Sequence, residues 1–274
     1  MNRVTGLIII EAKNSNPNGD PDRESDPRQR LDGRGEISSV SLKRKIRDLV
    51  EEKEGPVWQY LRDEFPDDEH VILESRGRDR ELIKKEDVAT ITKKYWDARI
   101  FGSTFLEKEK SHIRTGVVQI GMGISIAPIS VIRHTLTNKS GVQEGKDRGM
   151  APQAFRVVEH AVYAMPFFVN PSAAFKSGCT ERDIDLFFKL LPLAYSHSRS
   201  VSRPDVEIRH VHTFAHLNPL GSISDFKFIE ALSPTKSLDP GQASKSFADY
   251  SVPAWSEVKQ NFEGKGLYRD LISA

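Results

Sequence analysis

Residues 38–50 have the sequence SSVSLKRKIRDLV, and the rest of the chain is organised around this stretch. Its apolar residues recur at the spacing of a helix with one buried face: Leu42, Ile46, Leu49 and Val50. Ser38 or Ser39 is placed to cap the helix, because a serine oxygen can accept from the free N–H groups of the first turn. We therefore expect a helix over residues 39–53 that begins at a serine cap.

Basic residues crowd the start of this helix: Lys43, Arg44, Lys45 and Arg47. The helix macrodipole favours carboxylates there, and each cation costs roughly a few tenths of a kcal/mol. An anion held between these cations and the free N–H groups removes that cost, and phosphate fits such a place. A solvated basic face is the commoner interpretation of an isolated charge run. The serines and the dipole mismatch favour an anion site.

The composition limits the class of protein. The 274 residues are 38% hydrophobic and 29% charged, which fits one large or two small globular domains. The net charge of +1 means that any site for a polyanion must be a local patch. The single cysteine, Cys179, excludes an internal disulfide framework and is compatible with a cytoplasmic location. The apolar run 7–10 ends at Glu11, so it does not resemble a signal peptide, and no stretch approaches a membrane span.

Hydrophobic periodicity and turn residues divide the chain into elements. The predicted elements are a strand over 4–12, the helix over 39–53, helices over 57–65 and 84–96, a strand or hairpin over 116–133, a strand over 155–169, a helix capped by Thr180 and Asp183, and a strand over 207–217. Without the inserted helices, this order predicts an α+β fold of the ferredoxin-like or RRM-like type, β-α-β-β-α-β. In that fold the helices cover one face of an antiparallel sheet. The polar residues 135–153 are expected to form the tip of an extended hairpin.

Two clusters resemble metal sites but fit them poorly. His210, His212 and His216 share one face of a strand, yet no other ligand set is visible, which favours ordinary half-buried histidines. Residues 14–19 resemble the start of an EF-hand calcium loop, but the twelfth position of that loop, where a glutamate is needed, is Ser25. The sequence thus predicts no metal and no cofactor, with a calcium-stabilised interaction module as a minor alternative.

No established catalytic motif is present: there is no nucleophile elbow, no P-loop and no HExxH. Acidic residues of the loop after the first strand could act as acid–base groups or metal ligands: Asp20, Asp22, Asp26 and Asp32. A metal-independent ribonuclease could use the polar residues after the second helix: Tyr195, His197, Arg199 and Arg203. Structural roles are favoured for both sets.

Five motifs in a fixed order resemble a known family. Residues 16–22, NPNGDPD, and residues 41–47, SLKRKIR, resemble the Cas7-type backbone subunit of type I CRISPR Cascade complexes, in the RAMP superfamily and of the I-C or I-B kind. Residues 97–102, DARIFG, match its D-x-R-x-F-G element. Residues 115–119, TGVVQ, match its T-G-P-V-Q element with valine in place of proline. Arg133 and a polar arm ending in Arg148-Gly149-Met150 resemble its thumb.

The resemblance implies a non-catalytic RNA-binding protein. Subunits of this family polymerise along one CRISPR RNA, with a palm that holds the RNA backbone and a thumb that displaces a base at intervals. They assemble with other Cascade subunits and present the guide for pairing with target DNA. Related type III subunits cut target RNA with an aspartate in the loop after the first strand, where Asp26 and Asp32 lie here. A RAMP-fold endoribonuclease that processes precursor RNA or cuts target RNA is therefore the alternative.

The resemblance also assigns residues and regions. RNA-binding roles fall on ten residues: Ser38, Ser41, Lys43, Arg44, Arg47, Arg99, Phe101, Gln119, Arg133 and Met150. Met150 would insert beside the displaced base, although a packing contact with a neighbouring molecule fits its chemistry equally well. The expected regions are an RRM-like palm over 1–53 and 116–232 with a thumb hairpin at about 134–154, an inserted finger or helical region over 54–115, and a peripheral or partner-binding C-terminal extension over 233–274.

Overall fold

The computed structural model of the protein describes residues 1–77, 80–107, 110–139 and 150–273. Its helices are α1 Ser39–Glu51, α2 Pro56–Leu61, α3 Arg80–Lys85, α4 Val88–Lys94, α5 Trp96–Phe101, α6 Ala174–Ser177, α7 Glu181–Leu190, α8 Asp225–Leu232 and α9 Trp255–Val258. Its strands are β1 Val4–Ser15, β2 Gly19–Asp20, β3 Asp26–Pro27, β4 Arg34–Ile37, β5 Gly102–Glu107, β6 Lys110–Thr115, β7 Val118–Ile120, β8 Gly123–Pro128, β9 Val131–Lys139, β10 Met150–Val169, β11 Asp205–His216 and β12 Gly266–Asp270. Across these ranges, no helix is both long and apolar enough to cross a membrane.

Among the described residues, eight strands form one sheet in which every pairing is antiparallel. The strand order is β12-β11-β1-β10-β8-β4, and β7 and β9 also pair with β10. The remaining strands form two short hairpins, β2 with β3 and β5 with β6. The predicted α+β class with a large antiparallel sheet is confirmed.

The central strand β1 is buried on both faces. The side chains of Leu7, Ile8, Ile9 and Ile10 are all fully buried. Ile8 and Ile10 join a core cluster with α1 and α7, whereas Leu7 and Ile9 join a second cluster on the opposite face. A strand covered on both faces needs apolar residues at every position, which explains the continuous run in place of alternation.

Coverage of the second face corrects two expectations. Phe228 of α8 packs in the second cluster, so helices cover both faces of the sheet and not one. Tyr250 and Phe262 also lie buried in this cluster, and β12 pairs with β11, so residues after 233 complete the fold and are not peripheral. The aromatic residues of this tail follow neither a helical nor a strand period, so hydrophobic periodicity does not predict their burial.

The cap and buried face of α1 are confirmed. The side-chain oxygen of Ser38 accepts from the backbone N–H of Ser41 at 3.2 Å, and the four predicted apolar residues are buried. The capping pair of the second helix is confirmed as well, because Thr180 and Asp183 form a reciprocal capping box at the start of α7. These two helices pack on the same face of the sheet, through Ile46 and Phe187.

Strands β9 and β10 form the two arms of the predicted hairpin. They pair from Val131 with Val158 up to Lys139 with Met150. Of the predicted tip at 135–153, the outer residues of both arms are paired strands, and residues 140–149 lie outside the described residues. Strand β10 is 20 residues long, and its second half pairs with β1, β7 and β8. One strand therefore belongs to both the central sheet and the hairpin.

Candidate nucleic-acid interface

The loop after β1 is tied directly to the start of α1. The side-chain oxygen of Asn18 accepts a hydrogen bond from the backbone N–H of Ser38 at 2.7 Å. The side-chain amide of Asn16 donates to the carbonyl of Ser25 at 2.7 Å, which closes the loop on itself. The two asparagines of the NPNGD motif thus position the helix start, as turn-forming residues do by bonding to nearby backbone groups.

The basic residues of α1 point in different directions around the helix. Lys45 is only 5% exposed, with its ammonium nitrogen 5.1 Å from the centre of the Tyr195 ring. Burial, together with the positive charge of Arg203, lowers the pKa of Lys45 to about 8. Lys43 lies on another side of the helix, with its nitrogen 5.1 Å from the centre of the Phe101 ring. Burial also lowers the pKa of Lys43, and so does the charge of Arg47.

Four cations near this helix start have no carboxylate partner within the described part of the chain: Lys43, Lys45, Arg133 and Arg203. The Nε atom of Arg203 is buried and forms no hydrogen bond with any described group. A partly buried cation without a counter-ion is unfavourable, because it has lost hydration without gaining an ion pair. Such a group favours an anion arriving from outside the protein.

Three other predicted cations are already paired. Arg44 binds Asp48 at 2.6 Å and also Glu51, both on the same helix. Arg47 binds the buried carboxylate of Asp97 at 2.8 Å.

Arg99 is the most enclosed of the predicted RNA-binding cations. Its side chain is 7% exposed and binds Asp183 of α7 at 2.7 Å. The remaining donors of its guanidinium reach the backbone carbonyls of Glu69, Thr92 and Lys93. All its donors are therefore used inside the protein, where they join α5 to α7.

The DARIFG motif forms a platform beneath α1. Asp97 accepts from the backbone N–H groups of Leu73 and Glu74 as well as from Arg47. Phe101 is 8% exposed, and its ring carries Lys43 and Arg47 on its face.

Steric constraints explain why glycine occupies two positions in the neighbouring motifs. Gly102 ends α5 at a φ of +87°, a conformation that favours glycine. Gly116, of the TGVVQ motif, packs so closely on this turn that a Cβ atom would lie 2.2 Å from the nitrogen of Gly102. Both motifs thus build a scaffold that fixes the platform, whereas Gln119 is exposed on β7 and donates to the carbonyl of Gly116 at 3.0 Å.

A polar cleft of about 760 Å³ adjoins the start of α1. It lies between the loop after β1, the base of the β9–β10 hairpin and the loop before β11, and its lining includes Asn18, Asp26, Arg133, Arg156 and Arg203. Asn18 links this cleft to Ser38, and the charge of Arg203 reaches Lys45. The cleft and the helix start therefore form one continuous surface.

The structure divides the ten predicted residues into groups. Ser38, Ser41 and Lys43 lie at the start of α1, and Arg133 lies in the adjoining cleft. Three are paired cations, Phe101 is a buried platform and Gln119 is exposed near it. The backbone of Met150 pairs with Lys139, and its side chain lies outside the description. Contact with RNA at these positions stays a prediction.

Sequence reasoning did not assign RNA contacts to Lys45 and Arg203. Lys45 stands in the basic run, but its burial depends on Tyr195, which is 150 residues further along the chain. Arg203 was considered only for a ribonuclease set. Its unpaired Nε atom is a property of the folded chain.

The loop aspartates considered for catalysis are held by arginines. Asp26 pairs with Arg156 across the cleft. Asp32 pairs with Arg34 at 2.8 Å, and hydrogen bonds from the backbone and side chain of Arg34 lower its pKa. A carboxylate with a lowered pKa binds a proton less readily, which makes it a weaker general base.

One protein family and two solved structures are similar to this chain. A model of the CRISPR-associated protein Cas7 family matches residues 2–254. None of the curated proteins matches the chain. A chain of a solved "CRISPR RNA-guided surveillance complex, pre-nicking" is similar over 83% of this chain and 82% of its own, with a TM-score of 0.53 at 15% identity. A chain of another "CRISPR RNA-guided surveillance complex" covers 96% of this chain and 87% of its own, with a TM-score of 0.49 at 15% identity.

At 15% identity, the similarity to this solved structure shows a shared fold and nothing more. The family model spans most of the sequence, from the first strand to the residues just before α9. The chain therefore belongs to the Cas7 family of CRISPR-associated proteins, and its role is that of a CRISPR RNA-binding backbone subunit.

Proposed function

We propose that this chain holds the sugar–phosphate backbone of CRISPR RNA on a surface that extends around the start of α1. We call it the α1 surface and define it by six residues: Ser38, Ser41, Lys43, Lys45, Arg133 and Arg203. Contacts to phosphate and ribose carry no base sequence, so this surface accepts any spacer.

One observation carries the proposal: the cations of the α1 surface have no carboxylate partner in the described structure, whereas the neighbouring cations have one. Unpaired cations stand beside the free N–H groups of the first helical turn, and both attract phosphate. RNA bound here would give each cation the counter-ion that the protein does not provide. This local arrangement also explains how a chain of net charge +1 can bind a polyanion.

The paired residues support the surface from beneath. Arg47 fixes Asp97 under α1, Phe101 carries Lys43, and Arg99 joins α5 to α7. Arg44 keeps the side of α1 away from the cleft neutral through Asp48 and Glu51. We propose that these four residues affect RNA binding through the position of the helix.

We propose further that copies of the chain polymerise along one guide RNA, together with other Cascade subunits, and present the guide to target DNA. The β9–β10 hairpin supports this, because its arms extend beyond the central sheet and end at Lys139 and Met150. In this proposal the hairpin is the thumb, and Met150 inserts beside a displaced base. Successive copies on one strand gain avidity, since each bound copy raises the effective concentration of the next contact.

The finer description of the fold is part of the same proposal. The strand order β11-β1-β10-β8, with α1 and α7 packed on one face, supports a ferredoxin-like palm. The palm would comprise residues 1–53 and 116–232, with 54–115 as a finger region and 233–274 as an extension that packs on the sheet. The NPNGD and DARIFG motifs support a type I subunit of the I-C or I-B kind.

We propose that the chain has no nuclease activity of its own. The ion pairs of Asp26 with Arg156 and of Asp32 with Arg34 support this. Purified protein incubated with guide and target RNA, with and without Mg²⁺, should leave both intact. Cleavage that Asp26→Asn, Asp32→Asn or His197→Gln abolishes would establish the endoribonuclease alternative.

A matched pair of variants tests the α1 surface. Arg203→Gln and Arg44→Gln each remove one positive charge, the first from an unpaired guanidinium and the second from a paired one. RNA affinity is measured for two unrelated sequences at several salt concentrations. Arg203→Gln should weaken binding to both RNAs and reduce the slope of log K against log salt by about 1.

Arg44→Gln should change this slope by much less than Arg203→Gln, because its charge is already compensated within the helix. Equal slopes for wild type and Arg203→Gln would refute the α1 surface. A sequence preference that appears only in Arg203→Gln would also contradict a backbone contact. Copurification of wild type with a short RNA of defined length in a multi-copy particle tests the polymer proposal separately.

A further inference from the structure

Three metal-ligating side chains meet at the edge of the sheet, on strands β11 and β12. His210 and His212 stand two residues apart on β11, and their rings stack with centres 5.0 Å apart. Asp270 comes from β12, where its backbone pairs with that of His212. One donor atom from each residue lies within 4.8 Å of the other two.

His212 has a free nitrogen in the interior. Its side chain is 3% exposed, and its Nδ1 atom lies 2.9 Å from the hydroxyl oxygen of Tyr268. Its Nε2 atom is buried and forms no hydrogen bond to any described group. A neutral ring that donates through Nδ1 presents the lone pair of Nε2, which is the form that binds metals.

Asp270 is held in place by the backbone. Its Oδ1 atom accepts from the N–H groups of Val211 and Ile272 at 3.0 and 3.2 Å, and its Oδ2 atom lies 2.7 Å from Nδ1 of His210. The carboxylate of Asp270 therefore faces both imidazoles, with one of its oxygens held by the backbone.

We propose that His210, His212 and Asp270 bind a zinc ion that fastens β12 to β11. Two imidazoles and one carboxylate are a ligand set that zinc accepts, with water in the fourth position. The hydroxyl of Tyr268 and the two backbone N–H groups on Asp270 supply the outer contacts that orient such ligands.

The geometry is close to that of a bound site. In a tetrahedral zinc site with bonds of about 2.1 Å, the ligand atoms are about 3.4 Å apart. The direct hydrogen bond from His210 to Asp270 opens when the ion enters, and separations of up to 4.8 Å close by up to about 1.4 Å. Side-chain rotation covers movements of this size.

His216, the third histidine of the cluster, is not part of this site. Its ring nitrogens contact Thr5 at 2.9 Å and Ser222 at 3.1 Å. The third ligand is instead Asp270, which is 58 residues beyond His212 in the sequence. This distance explains why the histidines alone predict no metal.

The test uses full-length, tag-free protein that has been stripped with EDTA. Added Zn²⁺ should raise the melting temperature by about 4 °C or more, since an ion bound only by the native state stabilises it. Added Co²⁺ should give the visible absorption of a tetrahedral site. Asp270→Asn and His210→Asn should lose both responses, while His197→Asn, at an exposed histidine outside the cluster, should keep both.

Wild-type protein that gives neither a Zn²⁺-dependent shift nor a Co²⁺ spectrum overturns the proposal. The same conclusion follows if Asp270→Asn and His210→Asn respond as wild type does, because the ion then binds elsewhere. If Asp270→Asn does not fold, the half-buried position of His210 still provides a folded variant, and the wild-type Co²⁺ spectrum stands by itself. None of these readouts involves RNA, so the result is independent of the proposed function.

Discussion

The side-chain oxygen of Asn18 accepts a 2.7 Å hydrogen bond from the backbone N–H of Ser38. This contact joins the two sequence motifs that lie on either side of a long loop. In our proposal Ser38 contacts the RNA backbone, and the uncharged side chain of Asn18 positions it. The contact gives the NPNGD motif a structural reason that is separate from any chemistry of its aspartates.

Asn18→Ala should destabilise the helix start. The substitution leaves the N–H of Ser38 without its partner, which costs about 1–2 kcal/mol of unfolding free energy. Urea denaturation measures this loss, and Asn261→Ala, at an exposed side chain in the C-terminal residues, is the control. RNA affinity of the folded Asn18→Ala variant should fall for all sequences. A variant as stable as the control would show that the loop does not hold α1.

Lys45→Met should change how stability depends on pH. The folded pKa of Lys45 is about 8 and the unfolded value is 10.5, so the unfolded chain binds the proton more tightly between these values. Wild-type stability should therefore rise with pH across this window. Lys45→Met should show a smaller rise. The remaining rise includes contributions from Lys53, whose pKa is lowered by burial to about 8, and from Lys43, whose pKa burial also lowers. Urea denaturation at pH 7.5 and 9.5 decides this, and an unchanged rise in Lys45→Met would contradict the burial of its ammonium group.

RNA affinity should respond to pH in the opposite direction. A phosphate beside Lys45 raises its pKa, so the free protein must take up a proton to bind RNA at high pH. Wild-type affinity should therefore fall between pH 7.5 and 9.5, and Lys45→Met should lose part of that fall. A wild-type affinity that is constant across this range would remove Lys45 from the α1 surface.

Lys43→Gln and Arg47→Gln should have separable effects, although the two residues share one helix face and one aromatic ring. Lys43 has no carboxylate partner in the described structure, so its loss should reduce the salt slope of RNA binding by about 1 and change stability by less than about 0.5 kcal/mol. Arg47→Gln leaves the buried Asp97 without its charge partner and should cost about 3 kcal/mol of stability. The reverse pattern would mean that Arg47 faces the RNA.

Arg99→Met should destabilise the protein by about 3–5 kcal/mol, because it leaves the carboxylate of Asp183 buried without a counter-ion. Thermal and urea denaturation measure the loss. The folded fraction of this variant should bind RNA with the salt slope of wild type, since every donor of Arg99 is used inside the protein. A reduced slope at unchanged stability would instead support the direct RNA contact that the family motif implies.

Local patterns predicted local structure well. The period of Leu42 and Ile46 and the Ser38 cap gave α1, and Thr180 with Asp183 gave the start of α7. Pairing between distant residues was not visible. Hydrophobic periodicity reveals neither the Arg99–Asp183 ion pair nor the burial of Lys45 against Tyr195, because the partners are far apart in the sequence.

The same limit applies to the site. The basic run located the surface, but a list of cations does not say which of them the protein neutralises. Arg47 pairs with Asp97, 50 residues further along the chain, so a variant that lacks both Lys43 and Arg47 should lose about one phosphate contact and not two. The folded structure alone distinguishes a cation that supports the surface from one that is open to RNA.

Strand β10 runs without interruption through 20 residues, from the hairpin arm into the middle of the sheet. At about 3.3 Å per residue it measures roughly 66 Å from end to end. If the thumb reaches a neighbouring copy, the length of this strand sets the distance between copies, and so the number of nucleotides that each copy occupies. Deleting two paired residues from each arm shortens the strand by about 7 Å and leaves every side chain on its original face. This deletion should shorten the repeat of the whole ribonucleoprotein.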